Sequence, residues 1–272
     1  MKILFSINQK VFDNSPQDII WILKKYDVNH TVAGFEICFD IHNENHIRYV
    51  EEMAVLCKKN NYILQFHGDS NLDIKTQKQY LKFLNHIAQI METRMSVVLH
   101  PISSDTIEKM IEQSNLYFSK ILNDIYRNHL KVSISIENLN SSSVARLSKE
   151  YLKPILANNM DLNFTYDIGH EDAEYGKVID LDPILIDRIC NVHIHTFHNI
   201  NDHLPIGVDS NREWIKGLQY LKTIRFENTL VLEYDIYKLG NNFDERIKII
   251  NQKIVDMLKE QSFFMNIYKG EL

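Results

Sequence analysis

Eight short apolar, β-rich runs recur about every 30 residues along this chain, at 2–7, 34–39, 62–67, 95–100, 131–137, 161–167, 188–195 and 229–235. That interval is the length of one βα unit. The segments between them carry apolar residues at helical spacing. Ser15-Pro16-Gln17-Asp18 has the form of a capping box with proline at the first helical position, opening a helix whose apolar face includes Ile19, Ile22 and Leu23. Ser104 and Asp105 open a long helix reaching about His129, and Ile247, Ile250, Ile254, Val255 and Leu258 mark a last helix near 244–260. Eight such repeats in 272 residues predict an α/β fold, a single (β/α)8 TIM barrel spanning 1–272, rather than an open doubly wound sheet. The chain carries no glycine-rich phosphate loop and no dinucleotide fingerprint.

Composition narrows the function classes. At 44% hydrophobic and 24% charged the chain can bury a large core. Its net charge of −6 and pI near 6.1 disfavour nucleic acid as a partner. No apolar stretch is long enough to cross a bilayer. The opening MKILFSINQ turns polar too soon for a secretory signal. Cys38, Cys57 and Cys190 show no paired spacing and read as reduced thiols, so a cytoplasmic location is expected. Trp21 and Trp214 are expected to pack between helix and sheet. Barrel stability is expected to rest on layers of apolar side chains below the mouth. Nothing in the pattern specifies an oligomeric state.

Histidines and carboxylates recur where the predicted strands end, in LQFHGD, SVVLHP, SISIENLN, FTYDIGH, NVHIHTFHNINDH and LVLEYD. In one parallel barrel these ends share a mouth. The side chains are His67, His100, Glu137, Asp167, His170, His193, His203 and Glu233, the types that hold zinc, manganese or iron. Burying Glu137 after SISI is costly unless it is paired or metal-bound. In Asp167-Ile168-Gly169-His170 the glycine allows a sharp turn that returns the histidine toward the aspartate. His193 and His195 face the same way along a strand, so one can bind metal while the other contacts substrate. Glu36, ending the second run, is a candidate to touch substrate or orient a ligand.

These motifs, with GFE at 34–36, FHGD at 66–69, LHP at 99–101, IEN at 136–138, YDIGH at 166–170, HIH at 193–195, DHLPIG at 202–207 and LEY at 232–234, resemble the xylose isomerase-like TIM-barrel superfamily. The resemblance spans nearly the whole chain. In the epimerase branch one divalent ion is held by two glutamates, an aspartate and a histidine, which implies Glu137, Glu233, Asp167 and His193 as metal ligands. The same two glutamates, Glu137 and Glu233, are implied as the catalytic pair that removes and returns a proton. In the endonuclease branch three zinc ions use a larger set, which adds His67, His100, His170 and His203. The aspartate that branch places two residues before its last histidine is Asn201 here, and Thr196 stands where an aspartate follows the HxH pair.

The resemblance therefore implies an enzyme that isomerises or epimerises a small sugar, sugar phosphate or polyol through metal-stabilised enediolate chemistry. Its cofactor is one or more divalent ions (Mn, Zn, Co or Fe), with Glu36 and His195 as substrate contacts. One alternative is a multinuclear-metal phosphodiesterase of the apurinic endonuclease type. Another is a non-catalytic sugar- or metal-binding barrel.

Overall fold

The computed structural model describes residues 1–7, 15–27, 30, 32–68, 74–139, 148–170, 182–198, 201–204, 213–233 and 266, with backbone alone at 22, 26, 74–75, 148–149, 197–198, 201–202, 204 and 213. In chain order the elements are β1 (Lys2–Ile7), α1 (Pro16–Tyr26), β2 (Val32–Cys38), α2 (Glu44–Asn60), β3 (Ile63–His67), α3 (Ile74–Met91), β4 (Met95–Leu99) and α4 (Ile107–Arg127). There follow β5 (Val132–Glu137), α5 (Ser148–Asn158), β6 (Asn163–Asp167), α6 (Pro183–Ile186), β7 (Ile189–Ile194), β8 (Thr196–His198), β9 (Asn201–Leu204), α7 (Glu213–Thr223) and β10 (Thr229–Leu232). Eight strands close a parallel barrel in the order β1-β10-β7-β6-β5-β4-β3-β2, and β8 and β9 form a separate antiparallel pair. All eight predicted strands are present within a few residues of their expected ends. The helix expected near 244–260 lies outside the described residues.

Local chemistry explains the helices. Ser15 caps α1 by accepting the backbone N–H of Asp18 at 3.2 Å, as its sequence signature predicts. Asn43 caps α2 in the same way. α4 starts two residues later than Ser104 and Asp105 suggest, because Thr106 accepts the N–H of Lys109, while Asp105 pairs with the Lys109 ammonium. Tyr49, Val50, Met53, Ala54 and Cys57 of α2 and Met110, Ser114, Phe118 and Ile121 of α4 form the buried stripes of their helices. Trp214 is buried as expected, but Trp21 is 58% exposed, with the Lys25 ammonium 5.0 Å above its ring. It points to solvent, not to the sheet.

The main core is the shell between barrel and helices. Ile3, Phe5, Phe35, Ile37, Leu64, Phe66, Val97, Leu99, Ile134, Ile136, Phe164, Tyr166, Val192, Ile194, Leu230 and Leu232 supply its strand side. Alternation along each strand sends the residues between them into the barrel. There the expectation of apolar layers fails. Leu4, Val98 and Val231 are apolar, but Glu36, Gln65, Ser135, Thr165 and Asn191 are all buried and polar. Most of their polar atoms are paired, although Glu36 Oε1 makes no hydrogen bond: Ser135 Oγ lies 2.7 Å from Thr165 Oγ1, and Thr229 Oγ1 donates to Asn191 Oδ1 at 2.7 Å. Gln65 Nε2 donates to Glu36 Oε2 at 2.7 Å. A hydrogen-bonded polar floor thus lies under the mouth, its desolvation offset by these internal bonds.

Candidate metal centre

Parallel register brings one end of every barrel strand to a common mouth. His67, Glu137 and Asp167 are the last residues of β3, β5 and β6, and His193 is the last but one of β7. His100 and Glu233 directly follow β4 and β10. His193 stands at the centre. Its Nδ1 lies 2.7 Å from Glu137 Oε1 and 2.9 Å from Glu233 Oε2, yet none of these three buried atoms makes a hydrogen bond. The other ring nitrogen explains why. His193 Nε2 sits 3.1 Å from Glu36 Oε2, and donating there leaves an electron pair on Nδ1 facing two carboxylate oxygens. Three acceptors in contact are unfavourable unless a metal ion, or a proton on Nδ1, lies between them. Asp167 completes a group with Glu137, His193 and Glu233 whose ligand atoms all lie within 4.8 Å of one another. One imidazole and three carboxylates fit a divalent ion.

Two further sets adjoin this one. Glu137 Oε2 lies 2.8 Å from His100 Nε2 and 3.1 Å from His67 Nε2, and His67 Nδ1 is 3.2 Å from the carbonyl of Gly68. His67, Glu137 and His193 also form a group within 4.8 Å. On the other flank, Asp167 Oδ2 lies 3.1 Å from His170 Nδ1 and 3.2 Å from His195 Nε2. The pair β8–β9 carries His203 back so that its ring stacks on His195 with centroids 4.2 Å apart. Gly169 is required here, since a Cβ on it would meet the His195 ring at 2.5 Å.

The electrostatics follow from this crowding. Burial disfavours a charged His193, but Glu36, Glu233 and Glu137 outweigh it and hold the imidazole pKa well above its ordinary value. Burial likewise disfavours charged Glu137 and Glu233, and the histidines outweigh it. His193 and His100 hold Glu137, and His193 and His203 hold Glu233, well below the usual carboxylate range. His67 follows His193: burial lowers its pKa, and contacts with Cys38, Glu137 and Glu233 carry it well above the ordinary value. Without metal, protons on imidazoles balance these carboxylates.

All ten residues singled out by sequence lie in or directly beneath this mouth. Side-chain exposure marks its open side: His203 28%, His100 22%, Glu233 15% and His67 12%. Glu36, by contrast, is fully buried beneath His193, and His195 is buried between Asp167 and His203. The side chains of Asn201 and Asp202 lie outside the described residues. Three residues without a role in the sequence pattern complete the support. Gln65 and Asn191 both reach Glu36. Asn138 clamps Asp167 by its backbone, accepting its N–H at 2.7 Å and donating to its carbonyl at 2.8 Å. Gln65 and Asn191 stand two residues before His67 and His193 on the same strand faces, a signal that alternation alone provides. A cavity of about 480 Å³ at the opposite ends of β5 and β6, lined by Arg94, Tyr126, His129, Lys131 and Asp161 among others, holds none of these converging donors.

Solved structures share this architecture over nearly their whole length. D-psicose 3-epimerase from Clostridium cellulolyticum H10, determined with D-tagatose, superposes with a TM-score of 0.64 at 14% identity, over 99% of this chain and 98% of that one. The IolI protein with a bound zinc atom gives 0.63 at 13% identity, over 100% and 99%. The chain has the xylose isomerase-like TIM-barrel fold. The probable 3-DHS dehydratase AsbF from Bacillus anthracis, with a TM-score of 0.59 at 14% identity over 95% and 99%, shares this xylose isomerase-like fold. No protein-family model matches the chain, and no curated protein matches it by sequence. No helix among the described residues is long and apolar enough to cross a membrane.

Proposed function

We propose that this xylose isomerase-like barrel is a divalent-metal-dependent isomerase or epimerase of a small sugar, sugar phosphate or polyol. The observation that carries the reading is the convergence of Glu137 Oε1 and Glu233 Oε2, from β5 and the end of β10, on one nitrogen of His193. Glu137, Asp167, His193 and Glu233 would hold the ion. When bound there, a divalent ion polarises a substrate carbonyl and makes the neighbouring C–H more acidic. Two carboxylates brought from different strands can then exchange that proton as base and acid. They are not equivalent. His67 and His100 occupy the second oxygen of fully buried Glu137, whereas Glu233 borders the open side, so Glu233 is the more accessible member of the proton-exchanging pair. Glu36 orients His193 from below. The sugars in the D-psicose 3-epimerase structures and the zinc in IolI support this choice of chemistry.

The test is solvent-deuterium exchange on a panel of ketoses, aldoses, their phosphates and inositols, with Mn- or Co-loaded protein. Exchange at a carbon beside a carbonyl is expected, and Glu233→Gln should abolish it while leaving the fold intact. One observation favours a second reading, metal-assisted phosphodiester hydrolysis. Glu137 presents one oxygen toward His193 and the other to His67 and His100, so the two sets of side chains would each have a Glu137 oxygen to offer if a second ion were held beside His67 and His100. Cleavage of an abasic-site duplex or a simple phosphodiester, lost in His67→Ala and unaccompanied by carbon exchange on any panel member, would replace the first reading with the second.

A further inference from the structure

We propose that the cavity at the end of the barrel opposite the metal centre binds a small organic anion, its acidic group held by Arg94 and Lys131 and its flat apolar body laid against Tyr126. The cavity measures about 480 Å³, within the range of small-molecule sites. It lies where β4, β5 and β6 begin. Arg94 directly precedes β4, Lys131 directly precedes β5, and Asn163 opens β6. The C-terminal part of α4 gives the cavity an apolar wall in Leu122, Ile125 and Tyr126. Ser133 and Asn163 stand two residues before Ser135 and Thr165 on the same strand faces, so a hydroxyl and an amide line its inner side.

Charge decides the class of ligand. Among the lining residues Arg94, His129 and Lys131 stand against a single acid, Asp161. None of these three basic side chains makes a hydrogen bond or ion pair among the described residues. Neighbouring cations that serve the fold are spent differently. Arg188 donates to the carbonyls of Met160 and Leu162, just before β6, and Lys58 pairs with Glu92 at 2.7 Å. Helix capping does not employ the three either. The carbonyls of Asp124, Ile125 and Tyr126 at the end of α4 already accept the backbone N–H groups of Asn128, Leu130 and His129. Unspent cations beside a cavity select a carboxylate or phosphate group. Exposed apolar side chains at the same place select its body. Tyr126 is 79% exposed, and Met160, next to Asp161 in the chain, is exposed as well. A tyrosine ring open beside a cavity offers a face on which a flat ring can stack.

The test titrates the full chain with phenyl phosphate, benzoate and uncharged phenol, and reads binding by saturation-transfer NMR on the aromatic protons of each probe. Phenyl phosphate or benzoate is expected to bind well above phenol, and the tighter of the two identifies the acidic group. Arg94→Glu and Lys131→Glu should each weaken the anion about tenfold, the loss of one charged hydrogen bond. Tyr126→Ala should weaken it severalfold by removing the stacking face. All three side chains are exposed, so these variants keep the fold, and their Mn²⁺ affinity should match wild type. Chelation and Glu233→Gln should leave probe binding unchanged, because the metal centre lies at the other end of the strands. Absence of saturation transfer from both anions at millimolar concentration would overturn the assignment. So would equal binding of phenol and the anions, or anion binding that survives both charge reversals. Binding lost on chelation but kept in Lys131→Glu would place the anion on the metal centre instead. Binding at this cavity is independent of the reaction at the mouth, so its failure leaves the isomerase reading standing.

Discussion

At the scale of the residue, His193 shows how charge and tautomer are set together. Its Nε2 is held by Glu36 and its Nδ1 faces two carboxylates whose charge raises its pKa well above the ordinary value. The imidazole is therefore protonated at neutral pH in the metal-free protein, and ligation needs it neutral. Glu137 and Glu233, held low, are already ionised and have no proton to lose. Metal binding should thus release at least one proton at pH 7, and apparent affinity should rise about tenfold per pH unit until the raised pKa is passed. Calorimetry in buffers of different ionisation enthalpy measures this directly, and an affinity flat between pH 6 and 8 would refute the linkage. Glu36→Gln keeps the shape but frees the ring, and should weaken metal binding by roughly 10–100-fold. The identities of the ligand candidates were legible because buried carboxylates and strand-end histidines are conspicuous. Glu36 was legible only as a residue that either touches substrate or orients a ligand, since a carboxylate one layer down has the same sequence signature as one at the surface of the site; its place beneath His193 favours the second.

At the scale of the element, the strand ends set the site and the turns after them tune it. Asn138 fastens the end of β6 through two bonds to Asp167 and one from His170 to its own carbonyl. Asn138→Ala leaves a buried N–H and carbonyl unpaired, and should cost about 1–3 kcal/mol in urea unfolding while lowering metal affinity. Asn138→Asp restores only the acceptor and should recover part of the stability. Gly34 shows packing at the same scale. A Cβ there would lie 2.0 Å from the carbonyl oxygen of Ile63 on β3, so Gly34→Ala should destabilise the barrel by about 1–3 kcal/mol with no direct effect on the ligands. Strand existence and order were readable because apolar runs with period-two alternation are local signals. The β8–β9 pair was not, because 196–204 is dense in polar residues and its pairing depends on the antiparallel register of Thr196 with Leu204.

At the scale of the whole molecule, stability and chemistry occupy different layers. The apolar shell outside the strands holds the barrel, and the polar floor and mouth inside it hold the charges. Chelation should therefore lower the melting temperature without unfolding the protein at 25 °C. Restoring metal at about 1,000 times its dissociation constant should return roughly 4 kcal/mol. The sequence predicted an apolar barrel interior, and the cross-barrel bonds from Asn191 and His193 to Glu36 show why that failed: partners 155 and 157 residues apart are invisible to local pattern. The central claim is that Glu137, Asp167, His193 and Glu233 enclose a divalent ion. The most direct measurement is an anomalous difference map from crystals of protein purified without chelator, collected above the metal edge. The account predicts a peak bounded by His193 Nδ1, Glu137 Oε1 and Glu233 Oε2. A map with no peak there, from crystals soaked in millimolar Mn²⁺ or Zn²⁺ near pH 7.5, would contradict it.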